Sequence, residues 1–423
     1  MQKRRSVAFH TLGCKLNYSE TSTLSRLLEN DGFEKKDFDD AADVYVINTC
    51  SVTDNADKEC RHLVRKIQRK APESFVVITG CYAQLKPKEI AAIPGVDLVL
   101  GAAEKFNITQ HLKELHKNDS AKISSCDIEN VSGFNASYSL SERTRTFLKV
   151  QDGCDYNCSF CTIPMARGKS RSNTIDNVVA DASALAVKGV KEIVLTGVNL
   201  GDFGKGFNGE KHTENFYQLL QALDNVEGIE RYRISSIEPN LLTNEIIEFV
   251  ANSKRIMPHF HVPLQSGSNT ILGLMRRRYR RELYAEKVAL IKQFMPHCAI
   301  GVDVIVGYPS EDENTFNETF EFLHNLDVSY LHVFTYSERD NTKALEINPV
   351  VPVHLRHERN KILRNLSYQK LQYFTAQHSN STRKILFEDY NKNGMMEGYT
   401  DNYIRITTPY RKEWANQIVD WNL

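Results

Sequence analysis

The sequence predicts an α/β protein with an N-terminal open parallel sheet, a central partial (β/α)6 barrel and a small C-terminal β barrel. Short apolar runs alternate with segments of helical period before about residue 115, and the alternation restarts near residue 147. Strand patterns around an Asn-Gly turn signal predict the third part, which is short for a complete five-stranded barrel. We expect domains at residues 1–130, 144–370 and 371–423, with a linker at 131–143.

Composition and charge limit the classes of function. The 423 residues carry 53 basic and 53 acidic side chains, so a nucleic-acid partner must be met by a local basic patch. The sequence has neither the apolar core of a secretory signal nor the roughly 18 apolar residues that cross a bilayer, so we expect a cytoplasmic protein without a membrane partner. Thiols stay reduced there, and nine cysteines therefore indicate metal ligands or reactive groups rather than disulfides.

The strands of the N-terminal part are predicted at "SVAFHTL", "ADVYVINT", "SFVVITG" and "VDLVLG". Cys14, Cys50 and Cys81 follow the first three of them, at strand ends that share one edge of a parallel sheet. Each cysteine alone would more often be a small buried hydrophobe, but the shared placement favours a site of three thiolates. The other cysteines outside the barrel loop lack this placement and are interpreted as structural: Cys60, Cys126 and Cys298.

Six strand candidates define the central part: "FLKVQ", "EIVLTGV", "RYRISSI", "FHVPL", "AIGVDVIVG" and "YLHVFTY". Six β/α units without two more indicate an incomplete barrel, whose ligand-binding loops begin at the carboxyl ends of the strands. The candidate cofactor-binding residues at those ends are Thr196, Gly197, Asn199, Ser236, Glu238, Gln265 and Gly307. For Glu238, which precedes a proline, a helix cap is the alternative.

The stretch "GCDYNCSFCTIP" follows the first barrel strand and contains Cys154, Cys158 and Cys161 in a C-x3-C-x2-C array. A structural zinc site needs a fourth ligand, commonly from a second Cys or Cys/His pair, and no matching pair follows. Three thiolates on a [4Fe-4S] cluster leave one iron open to bind a substrate or cofactor. We therefore interpret the array as a cluster site, with a partial zinc site or a plain cysteine loop as the alternatives.

A C-x3-C-x2-C array on the first loop of a partial barrel resembles the radical S-adenosylmethionine enzymes. The resemblance implies that the open iron binds the amino and carboxylate groups of S-adenosylmethionine. Phe160 stands just before the last cysteine, where that superfamily usually has an aromatic residue beside the adenine. A core position is the alternative for Phe160.

Two three-cysteine sets in this domain order resemble the methylthiotransferases over essentially the whole chain. The motifs stand in the family's order: "GCKLN", "NTCSVT", "TGCYAQ", "CDYNCSFC", "LTGVNLGDFG", "RISSIEP", "HVPLQSGS", "MRRRYRR" and "VDVIVGYPSE". The C-terminal segment resembles the family's RNA-binding TRAM domain. One departure is Phe203, which stands where a tyrosine is more usual.

The resemblance implies replacement of an unreactive C–H bond by a methylthio group, which needs a radical from a cofactor. Two [4Fe-4S] clusters are implied. The cluster on Cys154, Cys158 and Cys161 reduces S-adenosylmethionine to give a 5'-deoxyadenosyl radical, and an auxiliary cluster on the other set carries the sulfur, which a second S-adenosylmethionine methylates. The expected partners are a reductant such as flavodoxin or ferredoxin and a sulfur donor, and we expect a monomer.

Two regions are candidates for contact with RNA. Arg276, Arg277, Arg278 and Tyr279 in "MRRRYRR" follow the "QSGS" loop and could bind a phosphate or the carboxylate of S-adenosylmethionine. A solvated helix face is the alternative. The C-terminal part adds tyrosines that could stack on bases or be half-buried strand residues: Tyr390, Tyr399, Tyr403 and Tyr410.

The motif "GCKLN" resembles the branch that modifies C2 of N6-threonylcarbamoyladenosine at position 37 of tRNA. Other branches act on N6-isopentenyladenosine 37 or on an aspartate of a ribosomal protein. An anticodon-loop base is already unpaired, so presenting it to an enzyme costs little. A non-catalytic iron-sulfur protein that binds RNA is the alternative from another class of function.

Overall fold

The computed structural model describes residues 4–50, 54–113, 117, 120–131, 133–140, 144–206 and 214–423. The end of the "NTCSVT" motif, 51–53, and part of the predicted linker, 141–143, lie outside the described residues. Within the described chain, no helix combines the length and apolar character needed to cross a bilayer. All nine cysteines are free thiols.

The N-terminal part is an open sheet with helices on both faces, as predicted. Its strands are β1 (Ser6–Thr11), β2 (Glu34–Lys36), β3 (Val44–Thr49), β4 (Phe75–Gly80), β5 (Leu98–Leu100) and β6 (Lys122–Ser124). All pairs are parallel, in the order β2-β1-β3-β4-β5-β6. The edge strands β2 and β6 were not predicted, because three-residue strands with polar side chains lack an apolar pattern.

The period of two along β3 sends alternate side chains to opposite faces of this sheet. Its helices are α1 (Lys15–Asn30), α2 (Asp54–Lys70), α3 (Cys81–Leu85), α4 (Pro87–Ala91) and α5 (Ile108–His111). Tyr45 and Ile47 pack with apolar residues of α2, α3 and α4. Val44 and Val46 pack with apolar residues of α1 and with the first residue of α5. Helices therefore cover both faces of the sheet, and the cysteines follow its strands at the carboxyl edge.

The central part contains the six parallel strands that the sequence predicts. Its strands are β7 (Ser137–Tyr138), β8 (Arg145–Lys149), β9 (Gln151–Asp152), β10 (Arg171–Ser172), β11 (Glu192–Thr196), β12 (Arg231–Ile234), β13 (His259–His261), β14 (Ala299–Val306) and β15 (Tyr330–Thr335). Parallel pairing joins β8, β11 and β12, and again β13, β14 and β15. Parallel bridges at Tyr232–Ile256 and Ser236–His261 connect the two groups.

Helices surround these strands and bury their outer faces. They are α6 (Ile163–Arg167), α7 (Ile175–Val187), α8 (Phe216–Asp224), α9 (Asn244–Asn252), α10 (Asn269–Leu274), α11 (Arg281–Phe294), α12 (Glu313–Asn325) and α13 (Val353–Ala376). Along β14, Val302, Val304 and Val306 belong to the main apolar core, whereas Asp303 and Ile305 line an inner cavity. The barrel therefore has an apolar outer face and a partly polar interior.

The segment before β8 joins the barrel to the N-terminal part. Within residues 131–143, which the sequence assigns to a linker, β7 pairs antiparallel with β8 and extends that sheet by one strand. Helix α1 packs against β7 and β8. The N-terminal part thereby covers the side of the barrel next to its first strand.

The C-terminal part is a four-stranded antiparallel sheet of β16 (Thr382–Phe387), β17 (Met395–Thr400), β18 (Arg405–Pro409) and β19 (Ile418–Asn422), in the order β18-β17-β16-β19. Asn393 and Gly394, both at positive φ, form the predicted turn. A TRAM-like barrel is not confirmed. The sheet meets the amino ends of the barrel strands, where Arg233 donates to the carbonyl oxygen of Thr400 at 2.7 Å and the Tyr403 ring stacks on His259 at 4.1 Å.

Candidate active site at the two cysteine sets

The loop with Cys154, Cys158 and Cys161 connects the short paired strands β9 and β10. Gly153 begins it at φ +69°, and a Cβ there would lie 2.0 Å from the carbonyl oxygen of Lys169, so only glycine fits. The backbone N–H of Cys154 donates to the carbonyl oxygen of Gly168 at 3.1 Å and closes the loop. The three thiols are therefore held on a single hydrogen-bonded loop at the carboxyl end of the first barrel strand.

Each thiol of this loop accepts one hydrogen bond. The donors are the Tyr156 N–H to Cys154 Sγ at 3.4 Å, the Ile163 N–H to Cys161 Sγ at 3.4 Å, and the Arg277 guanidinium to Cys158 Sγ at 3.1 Å. Burial raises the pKa of both Cys154 and Cys161 to about 12. Such thiols ionise at neutral pH only when a metal replaces the proton, and the donors then favour the thiolate. The set fits three ligands of a [4Fe-4S] cluster.

The arginine-rich segment after α10 divides between the interior and the surface. Arg277 forms an ion pair with Glu238 in addition to its contact with the cysteine loop. The Tyr279 hydroxyl is buried, 2.9 Å from the carbonyl oxygen of Pro263 and 2.8 Å from that of Leu264, so Tyr279 does not face RNA. Arg276 and Arg278 are exposed, and Arg278 lies over the Tyr156 ring at 4.0 Å. Only these two of the four predicted residues present a basic surface.

The cysteines of the N-terminal part converge as their placement after strands predicts. Cys14 precedes α1, Cys50 directly follows β3, and Cys81 is the first residue of α3. Gly13 has φ +101°, and a Cβ there would lie 2.9 Å from Cys50 Sγ. Gly80 has φ +98°, and a Cβ there would lie 2.3 Å from the backbone oxygen that precedes Cys50. The two Gly-Cys pairs thus bring the loops before Cys14 and Cys81 against the end of β3.

This second set also fits an iron-sulfur cluster. Burial raises the pKa of the Cys81 thiol, and the positive charge of Arg167 opposes this rise. Cys14 is exposed and stands at the N-terminus of α1. Both Cys14 and Cys81 lie within electrostatic range of Arg167, which comes from the barrel. The second set therefore lies at the junction of the two domains.

A buried network of charges links the two cysteine sets, and sequence reasoning missed it. Glu20 on α1 accepts hydrogen bonds from Lys149 at 3.1 Å and from Arg167 at 3.1 Å, and it pairs with Lys105 at 2.7 Å. Arg167 also pairs with Asp152 at 2.9 Å. Burial opposes ionisation of Glu20, but the three cations hold its pKa well below the ordinary value. Arg167 ends the helix that follows Cys161, so this network fixes one cysteine loop relative to the other.

A cavity of about 230 Å³ opens beside the cysteine loop inside the barrel. Two of the predicted cofactor-binding residues, Phe160 and Gln265, line it together with Cys161 and Asp303. The Phe160 ring meets Tyr308 edge to face, with 6.4 Å between centroids. The cavity therefore offers an aromatic ring and polar side chains next to Cys161, which suits a nucleoside cofactor.

Two residues that follow barrel strands β11 and β12 carry buried polar atoms that have no hydrogen-bond partner in the described part of the chain. They are the side-chain nitrogen of Asn199 and the hydroxyl of Ser235. A buried polar group without a partner is costly, so both are suited to a bound ligand. Asn199 is one of the predicted cofactor-binding residues, whereas Ser235 is not, and its predicted neighbour Ser236 forms the bridge to His261. Side chains alternate between the two faces of a strand, so Ser235 continues the face of β12 that carries Arg231 and Arg233. This alternation could have indicated Ser235.

The remaining predicted residues have local structural contacts. The Thr196 hydroxyl donates to the carbonyl oxygen of Val194 at 2.9 Å, and a Cβ at Gly197 would lie 2.8 Å from Gln151 Oε1. The Gly307 N–H donates to Glu311 at 2.7 Å, and a Cβ there would lie 2.3 Å from the Arg356 side chain. Gly307 therefore allows α13 to approach β14.

Comparison with known proteins identifies the two main domains. A family described as uncharacterized protein family UPF0004 matches residues 6–101, and the radical SAM superfamily matches residues 148–323. Among solved structures, the radical S-adenosylmethionine methyltransferase TsrM from Kitasatospora setae matches with a TM-score of 0.58 and 14% identity, over 78% of this chain and 73% of that chain. This likeness supports the fold of the barrel.

Relatives with assigned names match nearly the full length. Threonylcarbamoyladenosine tRNA methylthiotransferase MtaB of Bacillus subtilis (strain 168) is 40% identical over 98% of this chain and 92% of its own length. The protein of the same name from Aquifex aeolicus (strain VF5) is 41% identical over 96% and 97%. tRNA-2-methylthio-N(6)-dimethylallyladenosine synthase of Clostridium botulinum (strain Hall / ATCC 3502 / NCTC 13319 / Type A) is 32% identical over 82% and 78%.

These matches confirm the family that the cysteine motifs indicate. The enzyme uses S-adenosylmethionine and [4Fe-4S] clusters, as the radical SAM domain and the full-length relatives establish. Its substrate is a tRNA. The chain belongs to the radical S-adenosylmethionine tRNA methylthiotransferases.

Proposed function

We propose that this enzyme attaches a methylthio group to C2 of N6-threonylcarbamoyladenosine at position 37 of tRNA. The observation that carries the proposal is the identity of 40–41% to relatives named for threonylcarbamoyladenosine, over at least 96% of the chain. A relative named for dimethylallyladenosine is 32% identical to this chain. The convergence of two three-cysteine sets on one domain junction supports the reaction class.

Six cysteines hold the two clusters in this proposal. Cys154, Cys158 and Cys161 hold the cluster that binds S-adenosylmethionine, and the auxiliary cluster is held by Cys14, Cys50 and Cys81. When bound, these groups supply the radical that removes the C2 hydrogen and the sulfur that replaces it. In each set three thiols leave one iron without a protein ligand.

The surrounding side chains orient the cofactor and keep water away. Phe160 offers a ring to the adenine of S-adenosylmethionine, while Asn199, Ser235 and Gln265 offer hydrogen bonds to its polar groups. Arg277 donates to Cys158 Sγ, and the ion pair with Glu238 fixes its guanidinium. A hydrogen bond to a ligand sulfur is one of the features that set a cluster's reduction potential.

The target base comes from a loop of tRNA. Position 37 lies in the anticodon loop, where the base is unpaired and enters an active site at little cost. Arg276 and Arg278 lie exposed next to the cysteine loop and are suited to contact its phosphates. We therefore expect the anticodon stem-loop, rather than the whole tRNA, to contain the determinants of recognition at the active site.

The test uses the full chain, reconstituted anaerobically with iron and sulfide and supplied with dithionite, sulfide and S-adenosylmethionine. Two anticodon stem-loops are compared, one with N6-threonylcarbamoyladenosine and one with N6-isopentenyladenosine at position 37. Mass spectrometry of the nucleosides is expected to detect the methylthio product from the first RNA. Product from the isopentenyl RNA alone would contradict the proposal and support the second branch.

Cysteine variants separate the two sets. Cys154→Ala is expected to abolish release of 5'-deoxyadenosine, because the cluster that binds S-adenosylmethionine is lost. Cys81→Ala is expected to retain that release and to lose the methylthio product. Cys126→Ser, a cysteine outside both sets, is the control and should behave as the parent. Methylthio product from Cys81→Ala at the parent rate would refute the assignment of the auxiliary cluster.

A further inference from the structure

Three side chains on neighbouring barrel strands form a polar cluster that the mechanism above does not use. His261 on β13, Asp303 on β14 and His332 on β15 have their side-chain nitrogen and oxygen atoms within 4.8 Å of one another. His261 Nε2 lies 2.8 Å from Asp303 Oδ1, and the two imidazole rings meet at 5.3 Å between centroids. Asp303 also lines the cavity beside the cysteine loop. The cluster is therefore continuous with the space proposed for cofactor and substrate.

Lys15 extends from the N-terminal part toward the same cluster. It is the first residue of α1 and directly follows Cys14, a proposed auxiliary ligand. The ionisable side chains within electrostatic range of its ammonium are Cys14, Arg145, His259, Asp303, His332 and Tyr403. In the described part of the chain, no hydrogen bond or ion pair occupies this ammonium. Lys15 is thus a cation inside the domain junction that is available to a ligand.

Other cations near the barrel interior already have carboxylate partners. The pairs are Arg145 with Glu388, Lys149 with Glu20 and Asp152, Arg233 with Glu192, and Arg277 with Glu238. A paired cation in a buried site offers little net attraction to a further anion, because its charge is already balanced. Lys15 is therefore the cation best placed to receive negative charge from a substrate, and the two histidines stand beside it as hydrogen-bond donors, with His261 paired to Asp303.

We propose that Lys15, His261 and His332 bind the carboxylate of the amino-acid group on N6 of the substrate adenosine. Asp303 orients His261 for this contact. The inference rests on the proposed function and names the subsite that distinguishes its substrate. An isopentenyl group has no polar atom, so it would leave these side chains desolvated and unpaired, which gives strong discrimination.

The position of Lys15 agrees with the geometry of the base. C2 and C6 of adenine are separated by one ring nitrogen, so a group on N6 lies close to the carbon that receives the sulfur. Lys15 is likewise the neighbour in sequence of Cys14, which is proposed to hold the cluster that supplies this sulfur. When C2 faces the auxiliary cluster, the substituent on N6 therefore lies within reach of the Lys15 ammonium.

The experiment compares two anticodon stem-loops that differ only in charge. One carries N6-threonylcarbamoyladenosine at position 37, and the other carries the threoninamide analogue, in which a neutral amide replaces the carboxylate. The reconstituted parent is expected to prefer the carboxylate RNA by about ten- to hundred-fold in kcat/KM, as a charge-assisted hydrogen bond allows. Lys15→Gln is expected to lose most of this preference through KM, and Lys15→Arg to recover part of it.

Several controls isolate the subsite. Lys88→Gln removes an exposed lysine on α4 of the same domain and should keep the parent's preference. Release of 5'-deoxyadenosine without RNA and the iron content of Lys15→Gln should equal those of the parent. If Lys15→Gln loses iron, His332→Gln serves as the test variant instead, because His332 lies outside both cysteine motifs. His332→Gln should also reduce the preference for the carboxylate RNA.

The outcomes separate this inference from the proposed function. A parent that methylthiolates the carboxylate RNA, with a preference unchanged in both Lys15→Gln and His332→Gln, would overturn the subsite alone. A parent active only on isopentenyl RNA would overturn the proposed function and the subsite with it. A divalent metal ion that binds in addition to the iron of the [4Fe-4S] clusters, and that is lost in His332→Gln, would identify His261, Asp303 and His332 as a metal site. That result would also overturn the inference.

Discussion

At the scale of single residues, close approach of backbone decides whether three scattered cysteines can form one site. Gly13 and Gly80 both have positive φ and both lie against the end of β3, where a Cβ would overlap Cys50 or the backbone before it. Glycine is needed there for two reasons, because an L side chain is strained at such a φ and because no space is left for one. The pattern Gly-Cys, which occurs at both positions, is the local signal for this convergence.

The first prediction concerns Gly13→Ala. The added Cβ would lie 2.6 Å from the Cys50 Cβ and must push the two loops apart, so the auxiliary cluster should fail to assemble. We expect iron after reconstitution to fall from about eight to about four atoms per chain, which is the loss of one of two [4Fe-4S] clusters. The matched control is Gly32→Ala, which has φ +94° but nothing within 4 Å of the added Cβ. Full iron in Gly13→Ala would contradict the steric explanation.

At the scale of elements, α1 and α6 are joined by the buried charges around Glu20. The side chains of Glu20 and Arg167 are at most 5% exposed, and the two residues belong to different domains. Removing one partner of a buried pair leaves the other charges unsatisfied, which typically costs more than the pair contributes. The network therefore determines the relative position of the two cysteine loops.

We predict that Glu20→Gln lowers the free energy of unfolding of the apoprotein by about 3–5 kcal/mol at neutral pH. Because burial opposes ionisation of Glu20 but Arg167, Lys105 and Lys149 keep its folded pKa below 4.5, its stabilisation is present above that pH and is lost below it. The parent should therefore lose stability as the pH falls below about 4.5, and Glu20→Gln should lose less over that range.

Urea unfolding followed by circular dichroism at several pH values measures this effect. Asp39→Asn breaks the Lys66–Asp39 pair, which is an exposed ion pair of the same domain, and should leave the midpoint unchanged. Equal midpoints for Glu20→Gln and the parent at pH 7 would show that the buried network does not hold the domains together.

At the scale of the whole molecule, the two ends of the barrel have different roles. The cysteine loop and the cavity lie at the carboxyl ends of the strands, and the C-terminal sheet covers amino ends through Arg233 and Tyr403. Tyr399 and Tyr403 pack beneath the barrel, whereas Tyr390 is largely exposed. With zero net charge, the protein must attract tRNA through local basic groups, and we propose that Arg276 is one of them.

The third prediction concerns the dependence of tRNA binding on salt. Arg276→Gln and Arg280→Gln together remove two exposed cations of the arginine-rich segment that follows α10. If both contact phosphates, the slope of log K against log salt should decrease in magnitude by about one to two, with equal effects on modified and unmodified tRNA. Lys254→Gln, at the amino end of β13 and thus at the opposite end of the barrel, is the control. An unchanged slope would exclude this surface from the RNA interface.

The sequence by itself determined the features that depend on local order along the chain. The spacing of Cys154, Cys158 and Cys161, the alternation that predicts parallel strands and the turn at Asn393 are all short-range patterns, and periodicity reports them directly. The convergence of the other cysteines also followed, because the carboxyl ends of parallel strands share one edge.

Only the tertiary structure decided which polar side chains meet in the interior. Arg167 and Glu20 are 147 positions apart, and His261, Asp303 and His332 come from separate strands, so no periodicity relates them. The same limit applies to Tyr279, which belongs to the arginine-rich segment but is buried by the fold. It also applies to Ser235, which is adjacent in sequence to the predicted Ser236. Such contacts depend on how whole domains pack, and domain packing follows from surface complementarity rather than from local pattern.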